Sequence, residues 1–398
     1  MPADRLKRIT SLRRTCTPEQ AAAVAEMVEL RSRAAGRFTS PEAMLFTPQG
    51  LEQSTGSRAA AHRAGRFVAG TTVLDCCCGI GSDALALLNA GCRVVAADSD
   101  RVTLLCAAHN CANTNSAFVC ADVTQLDLGR MHRLGVDAAF IDPSRRKSRD
   151  SGGNSTRIRA SEEYSPPLSF FAKLADAFPI AAAKVSPAID DESLAPFAER
   201  QNCRIEFVAE RGECKEAVIW AGSPAPGLDL PAGYMASVLG PGGRTSLLYP
   251  DGGTEAADFA LLPGEGLVPG MWLYEPQPSV VRAHLTAALG RRLRAEFVSL
   301  DSRYLAATEF SPTPFATAYQ VLDCMPLHAA AVHRRCAELG RNVMAIKTRW
   351  DTTEPEPLQK QIKGASKSAG VPQCCVIVVT SARRKFAIIT QPAEPEAQ

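Results

Sequence analysis

Val73-Leu74-Asp75-Cys76-Cys77-Cys78-Gly79-Ile80-Gly81-Ser82-Asp83 is the stretch on which the reading of this chain turns. A short apolar run enters a Gly-x-Gly turn, and polar residues that suit a helix start follow. The glycines let the backbone bend sharply and let a ligand approach it closely. Downstream, short apolar runs alternate with amphipathic segments. The pattern predicts strands at 73–77, 93–97, 117–120, 137–141 and 180–185, with helices over 83–90, 101–113, 168–178 and 191–200 between them. Such alternation implies a parallel, doubly wound α/β sheet of Rossmann-like type. Two further strands, 204–209 and 216–221, are joined by Arg211-Gly212-Glu213. So short a connection forces them to pair antiparallel.

Upstream, 18–36 and 51–67 read as helices, with Pro18 and Glu19 placed as a start. The stretch 224–243 is rich in Pro and Gly and reads as a linker. Beyond it, mixed strand and helix patterns lead to a helix at 327–339, a strand at 342–347, a helix at 357–368, and strands at 374–380 and 385–390. The expected division is a helical N-terminal extension (1–70), a Rossmann-like domain (71–223), a linker with an α+β, ferredoxin-like region (224–323), a compact C-terminal α+β domain (324–391) and a disordered tail (392–398).

At 398 residues, two or three domains are expected. No apolar run reaches the roughly 18 residues that span a membrane. The opening Met1-Pro2-Ala3-Asp4-Arg5-Leu6-Lys7-Arg8 lacks the apolar core of a signal peptide, so the expected location is the cytoplasm. Fourteen cysteines occur without a Cys-x-x-Cys pair, and six histidines lack metal-ligand spacing. Reduced structural thiols and no metal site are therefore expected. Charge is uneven: +5 over 1–70, −8 over 71–323 and +7 over 324–390. Basic ends suit a polyanionic partner such as a nucleic acid, because each phosphate contact releases condensed counterions. The same charges also fit a merely solvated surface. Oligomeric state is not legible.

Carboxylates recur where strands end, the place at which ligands bind open α/β sheets. Asp75 precedes the turn glycines Gly79 and Gly81, and Asp83 follows them. Asp98 lies 23 residues after Asp75 and can accept from ribose hydroxyls, while Asp122 can meet an adenine amino group. The Gly-x-Gly-x-x-Ala spacing also fits a dinucleotide. Asp75 would repel a pyrophosphate, however, whereas it can face a cationic, amino-bearing nucleoside. That balance points to S-adenosylmethionine. Asp142-Pro143 ends the fourth strand. Asp142 and the backbone carbonyl of Pro143 are candidates to orient an amine for in-line methyl transfer. Ser144-Arg145-Arg146-Lys147 follow, and Arg145 and Arg146 suit phosphate contacts. The segment 150–159 reads as a mobile substrate loop. Tyr164, Phe170 and Phe171 are candidates for base stacking, with core packing the more ordinary role for the phenylalanines.

Further segments carry a resemblance: Leu51-Glu52-Gln53-Ser54-Thr55, Asp142-Pro143-Ser144-Arg145-Arg146, Tyr164-Ser165-Pro166-Pro167-Leu168-Ser169, Glu216-Ala217-Val218-Ile219-Trp220, Tyr274-Glu275-Pro276 and Pro312-Thr313-Pro314-Phe315. Together they resemble bacterial class I S-adenosylmethionine-dependent methyltransferases with a C-terminal THUMP-like domain. The catalytic half is similar to trimethylguanosine synthase, which implies that Phe46-Thr47 and 53–55 cover the cofactor and that Asp142-Pro143 meets the methyl acceptor. Enzymes of that kind usually carry Asp-Pro-Pro and an aromatic residue. Ser144 and Arg145 stand there instead, leaving the acceptor base open. The THUMP resemblance implies RNA binding, with Lys347 and Arg349 among the basic residues of 324–390 that would contact it. The competing readings are a protein or small-molecule methyltransferase and a non-catalytic RNA-binding protein that keeps the fold.

Overall fold

The structure is a computed structural model that describes residues 10–112, 115–145, 164–222, 232–250, 266–299, 302–348, 355–363, 371–381 and 383–393. The chain divides into two compact units, 1–208 with 215–233, and 209–214 with 234–398.

The first unit begins with helix α1 (Pro18–Ala34). Thr17 and Gln20 cap its start reciprocally, and Pro18 sits where a missing N–H costs nothing. Helices α2 (Pro48–Gln53) and α3 (Ser57–Ala64) follow. The alternating region supplies β1 (Thr72–Cys76), α4 (Ser82–Asn89), β2 (Arg93–Asp98), α5 (Arg101–Asn110), β3 (Ser116–Cys120), α6 (Leu128–Arg133) and β4 (Ala138–Ile141). Next come the two-residue strands β5 (Ser144–Arg145) and β6 (Tyr164–Ser165), then α7 (Leu168–Ala177), β7 (Ile180–Val185), α8 (Asp191–Ala198), β8 (Cys203–Glu210) and β9 (Glu213–Gly222).

The strands of this unit follow the order β8-β9-β7-β4-β1-β2-β3. Strands β3, β2, β1, β4 and β7 run parallel, while β9 is antiparallel to β7. The expected parallel sheet closed by a terminal hairpin is therefore the observed one. Arg211 and Gly212, the two turn residues of that hairpin, both have positive φ (52° and 79°), as a tight primed turn demands. Order reverses at β1, flanked by β2 and β4, and the C-terminal ends of strands at such a switch are where open α/β sheets bind ligands.

On one face, Ala60 and Ala64 of α3, Phe67, and Leu87 of α4 pack with Val73, Val94, Phe140 and Trp220. Each such large side chain contributes roughly 1.5–3 kcal/mol on burial. Residues before 70, expected as an extension, are thus part of this unit's core.

The second unit opens with a hairpin, β10 (Gly233–Leu239) and β11 (Thr245–Leu248). Strand β10 lies inside the stretch expected as a linker. Gly and Pro at its borders end a strand as readily as they mark flexible chain. Then follow β12 (Trp272–Pro276), α9 (Pro278–Arg282), α10 (Thr286–Leu293), β13 (Glu296–Phe297), β14 (Leu305–Ala307), β15 (Ala316–Pro326), α11 (Ala329–Glu338), β16 (Asn342–Lys347), α12 (Pro355–Lys363), β17 (Gln373–Ser381) and β18 (Arg384–Pro392). They form one seven-stranded sheet, β13-β14-β12-β15-β18-β17-β16, in which β16 and β17 are the parallel pair. A boundary at 323/324 would cut β15, so the regions expected as two domains share a sheet. Cys375, Ile377 and Val379 face one core, and Cys374 and Val376 face another beneath α11 and α12. Burial on both faces explains the unbroken apolar run in β17. Pro392, expected in the tail, belongs to β18, and Ala393 N–H donates to Ala318 O at 3.0 Å.

Candidate active site

Register brings the candidate residues to one level. Cys76 is the Cα partner of Ala97 on β2 and of Ile141 on β4, and Asp98 is the partner of Cys120 on β3. Asp75 therefore lies near the end of β1, Asp98 ends β2, Asp122 follows β3 and Asp142 follows β4. The turn after β1 is tied to its neighbour: Cys78 N–H donates to Ala97 O (3.1 Å) and Gly79 N–H to Asp98 Oδ2 (2.9 Å). Asp98 Oδ1 accepts from Asp100 N–H at 2.9 Å.

Both glycines are needed, for different reasons. Gly79 has φ +56° and open space where a Cβ would project, which leaves its backbone approachable. Gly81 has φ +83°, and a Cβ there would meet Cys111 Sγ at 2.8 Å and Ala107 at 3.1 Å. Only glycine lets the start of α4 sit this close to α5.

The carboxylates converge on Cys77, itself in the left-handed region with φ 60°. Burial, then Asp98, Asp142, Asp75 and Asp122 in descending order, push the Cys77 thiol well above its usual range. All four aspartates thus lie close enough to act on one residue. Asp75 is fully buried, and neither of its oxygens has a hydrogen-bond partner among the described residues. Burial first, then the charges of Asp83, Asp142 and Asp98, hold its carboxyl far above the usual range, with Arg63 opposing them. Asp122 is exposed. It caps the following turn, Oδ1 accepting from Thr124 N–H (2.9 Å) and Oγ1–H (2.7 Å), and these bonds lower its pKa.

Asp83 is not part of this group of acceptors. Its carboxylate is held by the Arg63 guanidinium, which also pairs with Glu216. Burial alone would depress the Arg63 pKa, but the two carboxylates more than offset it. Asp83 acts here as an anchor between α4 and α3, so the expectation of a free cofactor ligand is corrected.

Asp142 N–H donates to Cys76 O at 3.4 Å, and Asp142 Oδ2 accepts from Lys184 Nζ of β7 at 2.5 Å. Lys184 escaped the sequence reading because it lies in an apolar strand 42 residues away. Its one signal was a cation within Ile180-Ala181-Ala182-Ala183-Lys184-Val185. Pro143 is buried. Ser144 and Arg145 pair with Ser165 and Tyr164 through β5 and β6. Tyr164 is 1% exposed, and its hydroxyl accepts from Ser186 N–H at 2.9 Å. It offers no stacking face, and the expected base contact is corrected to one that holds the segment after β7. Phe170 and Phe171 are core.

In the second unit, Lys347 Nζ donates to Glu275 Oε2 and to the Tyr319 hydroxyl (2.7 Å). Burial opposes the charge, but these partners raise the Lys347 pKa on balance. The ammonium is engaged within the protein, and a phosphate would have to share it with Glu275 and Tyr319. Arg146, Arg349, Lys147 and the loop at 150–159 lie outside the described residues. Among those residues no His/Cys/Asp/Glu group could hold a metal, and no helix is long and apolar enough to cross a membrane.

No family model matches the chain. Over 348 residues it is 28% identical to a protein designated an uncharacterized S-adenosylmethionine-dependent methyltransferase in Mycobacterium tuberculosis strain H37Rv, covering 85% of this chain and 88% of the relative. A counterpart in strain CDC 1551 / Oshkosh matches equally. Among solved structures, a protein of Porphyromonas gingivalis W83 provisionally named a methyltransferase superposes with a TM-score of 0.75 at 18% identity, over 96% of this chain and 92% of that one. The chain carries the Rossmann-like α/β fold of class I methyltransferases.

Proposed function

We infer that this chain is an S-adenosylmethionine-dependent methyltransferase whose acceptor is a nucleotide base of RNA. The observation that carries the reading is Asp75: a fully buried carboxylate without a partner, amid Asp98 and Asp142 and beside the open backbone of Gly79. A buried carboxyl group without a hydrogen-bond partner costs ~1–3 kcal/mol even when it keeps its proton, and such perturbed groups gather where a ligand completes them. A cationic, amino-bearing nucleoside fits this set of acceptors, and a pyrophosphate does not.

When bound, the cofactor supplies an electrophilic methyl group on a sulfonium. The chain's own residues hold and orient. Asp98 already fixes the Gly79 turn, and each carboxylate oxygen retains a lone pair for a ribose hydroxyl. Asp122 offers its carboxylate at the rim. Gly79 and Gly81 shape the backbone floor. Asp142 is the candidate to accept a proton from, or hydrogen-bond, the acceptor amine. Lys184 occupies Asp142 Oδ2, which leaves the other oxygen for substrate and makes Lys184 a positioning residue. The backbone carbonyl of Pro143 is the second candidate acceptor.

The choice of RNA is supported by the +7 charge of 324–390 and by the THUMP-like resemblance of the C-terminal region. The test is transfer of tritium from labelled cofactor to total RNA. Label that RNase abolishes is expected. Label that persists in a protein or small-molecule fraction after complete digestion would move the acceptor away from RNA. Asp142→Ala is expected to keep cofactor affinity, measured by calorimetry, while turnover falls on the order of 10²-fold or more.

A further inference from the structure

The second unit presents a groove of about 470 Å³ that has no part in the acidic crevice. It is lined by Trp272, Phe310, Gln320, Arg341, Gln373 and Gln391. Three of these form a row across the sheet. Trp272 on β12 is the Cα partner of Gln320 on β15, and Gln320 is the partner of Gln391 on β18. Cross-strand partners project from the same face. Two residues further along, Leu322 and Ile389 enter the core under α11 and α12. The row is therefore the continuation of that face, and it changes from aliphatic to aromatic and amide side chains.

A sheet face that only met water would not need this composition. The Trp272 ring lies against Phe310, centroids 4.5 Å apart, and neither ring is fully buried. Gln391 Nε2–H donates to Gln320 Oε1 at 2.8 Å, leaving each amide with further donors and acceptors. Arg341, just before β16, forms no ion pair among the described residues, and it sits in the segment that carries +7. An aromatic platform, amides that match base edges, and one cation for a phosphate are the elements of single-strand recognition. Strands are spaced ~4.8 Å apart, so the row from β12 to β18 is about 10 Å long, enough for two to three stacked nucleotides at ~3.4 Å each.

We propose that this groove binds unpaired nucleotides of an RNA strand, with a base stacked on Trp272, base edges read by Gln320 and Gln391, and a phosphate on Arg341. The proposal rests on the RNA reading above and adds a site to it.

The test is fluorescence anisotropy of the full chain with a fluorescein-labelled, mixed-sequence single-stranded RNA octamer. Trp272→Ala is expected to weaken binding ~tenfold or more, whereas Trp272→Phe, which keeps a stacking ring, stays close to wild type. Arg341→Ala is expected to lower the slope of log Kd against log salt by about one. The corresponding RNA duplex, whose bases are already stacked, is expected to compete poorly, as are AMP and GMP. Octamer binding unchanged by Trp272→Ala would overturn the groove while leaving the RNA reading in place, as would a duplex that competes as well as the single strand. AMP or GMP competing as well as the octamer would make it a mononucleotide pocket and overturn the polynucleotide. RNase-insensitive methyl transfer together with no octamer binding would remove the RNA reading itself.

Discussion

Glu206 and Asp75 are both fully buried carboxylates of the same unit, and the fold treats them in opposite ways. Glu206 Oε1 accepts from His62 (2.6 Å) and Arg66 (2.6 Å), and Oε2 from the Trp220 indole (2.9 Å). Arg63 binds Asp83 and Glu216 beside it and stacks over the Phe140 ring, 5.2 Å from its centroid. This network fastens α3 and the chain just after it to the sheet. Asp75, at the strand ends, has no hydrogen bond among the described residues, and Arg63, the cation that acts on it, is already bound to Asp83 and Glu216. A charge that serves the fold is paired within it, because breaking a buried pair costs ~3–5 kcal/mol. A carboxyl that serves a ligand is left short of a partner and keeps its proton until one arrives.

The comparison can be broken in four places, taken from the largest effect down. Glu206→Ala strands the His62, Arg66 and Trp220 donors in the core, and ~3–5 kcal/mol of stability should be lost. Denaturant midpoints measure it; a loss below about 1 kcal/mol would mean that the network is ornamental. Lys184→Met frees Asp142 Oδ2, and turnover should fall on the order of 10²-fold, ~2.7 kcal/mol. Cofactor affinity should hold steady, and an equal drop in affinity would make Lys184 part of the cofactor site instead. Asp98→Ala removes the acceptor for Gly79 and Asp100, and cofactor binding should weaken by ~1–3 kcal/mol in calorimetry.

Asp75→Asn gives the smallest and most informative change. In the folded chain the Asp75 carboxyl holds its proton far above the usual carboxylate range, whereas the unfolded chain releases it near the reference value of 3.8. Above that reference the folded state binds more protons than the unfolded one, so this residue makes stability fall as pH rises. Asp75→Asn should remove that slope. Ligand-free melting curves at pH 5 and pH 8 should show a gain in Tm over wild type that is larger at pH 8. A variant that is less stable than wild type at both values would place Asp75 with Glu206 as a structural charge.

Much of the first unit is legible along the chain. The strand expected at 180–185 is the strand observed, and the Gly-x-Gly turn falls between β1 and α4 as its spacing predicts. Periodicity and turn chemistry are local, so they survive in sequence. The convergence of Asp75, Asp98, Asp122 and Asp142 follows from the same order, because successive parallel strands deliver their ends to one edge. Tertiary structure alone decided which charges are spent. Arg63 claims Asp83 from 20 residues away, Lys184 reaches Asp142 across 42, and His62 reaches Glu206 across 144. It also joined β12 to β18 in one sheet across a boundary expected at 323/324. The partner of a buried charge is chosen by proximity in three dimensions, and neither composition nor periodicity records that proximity.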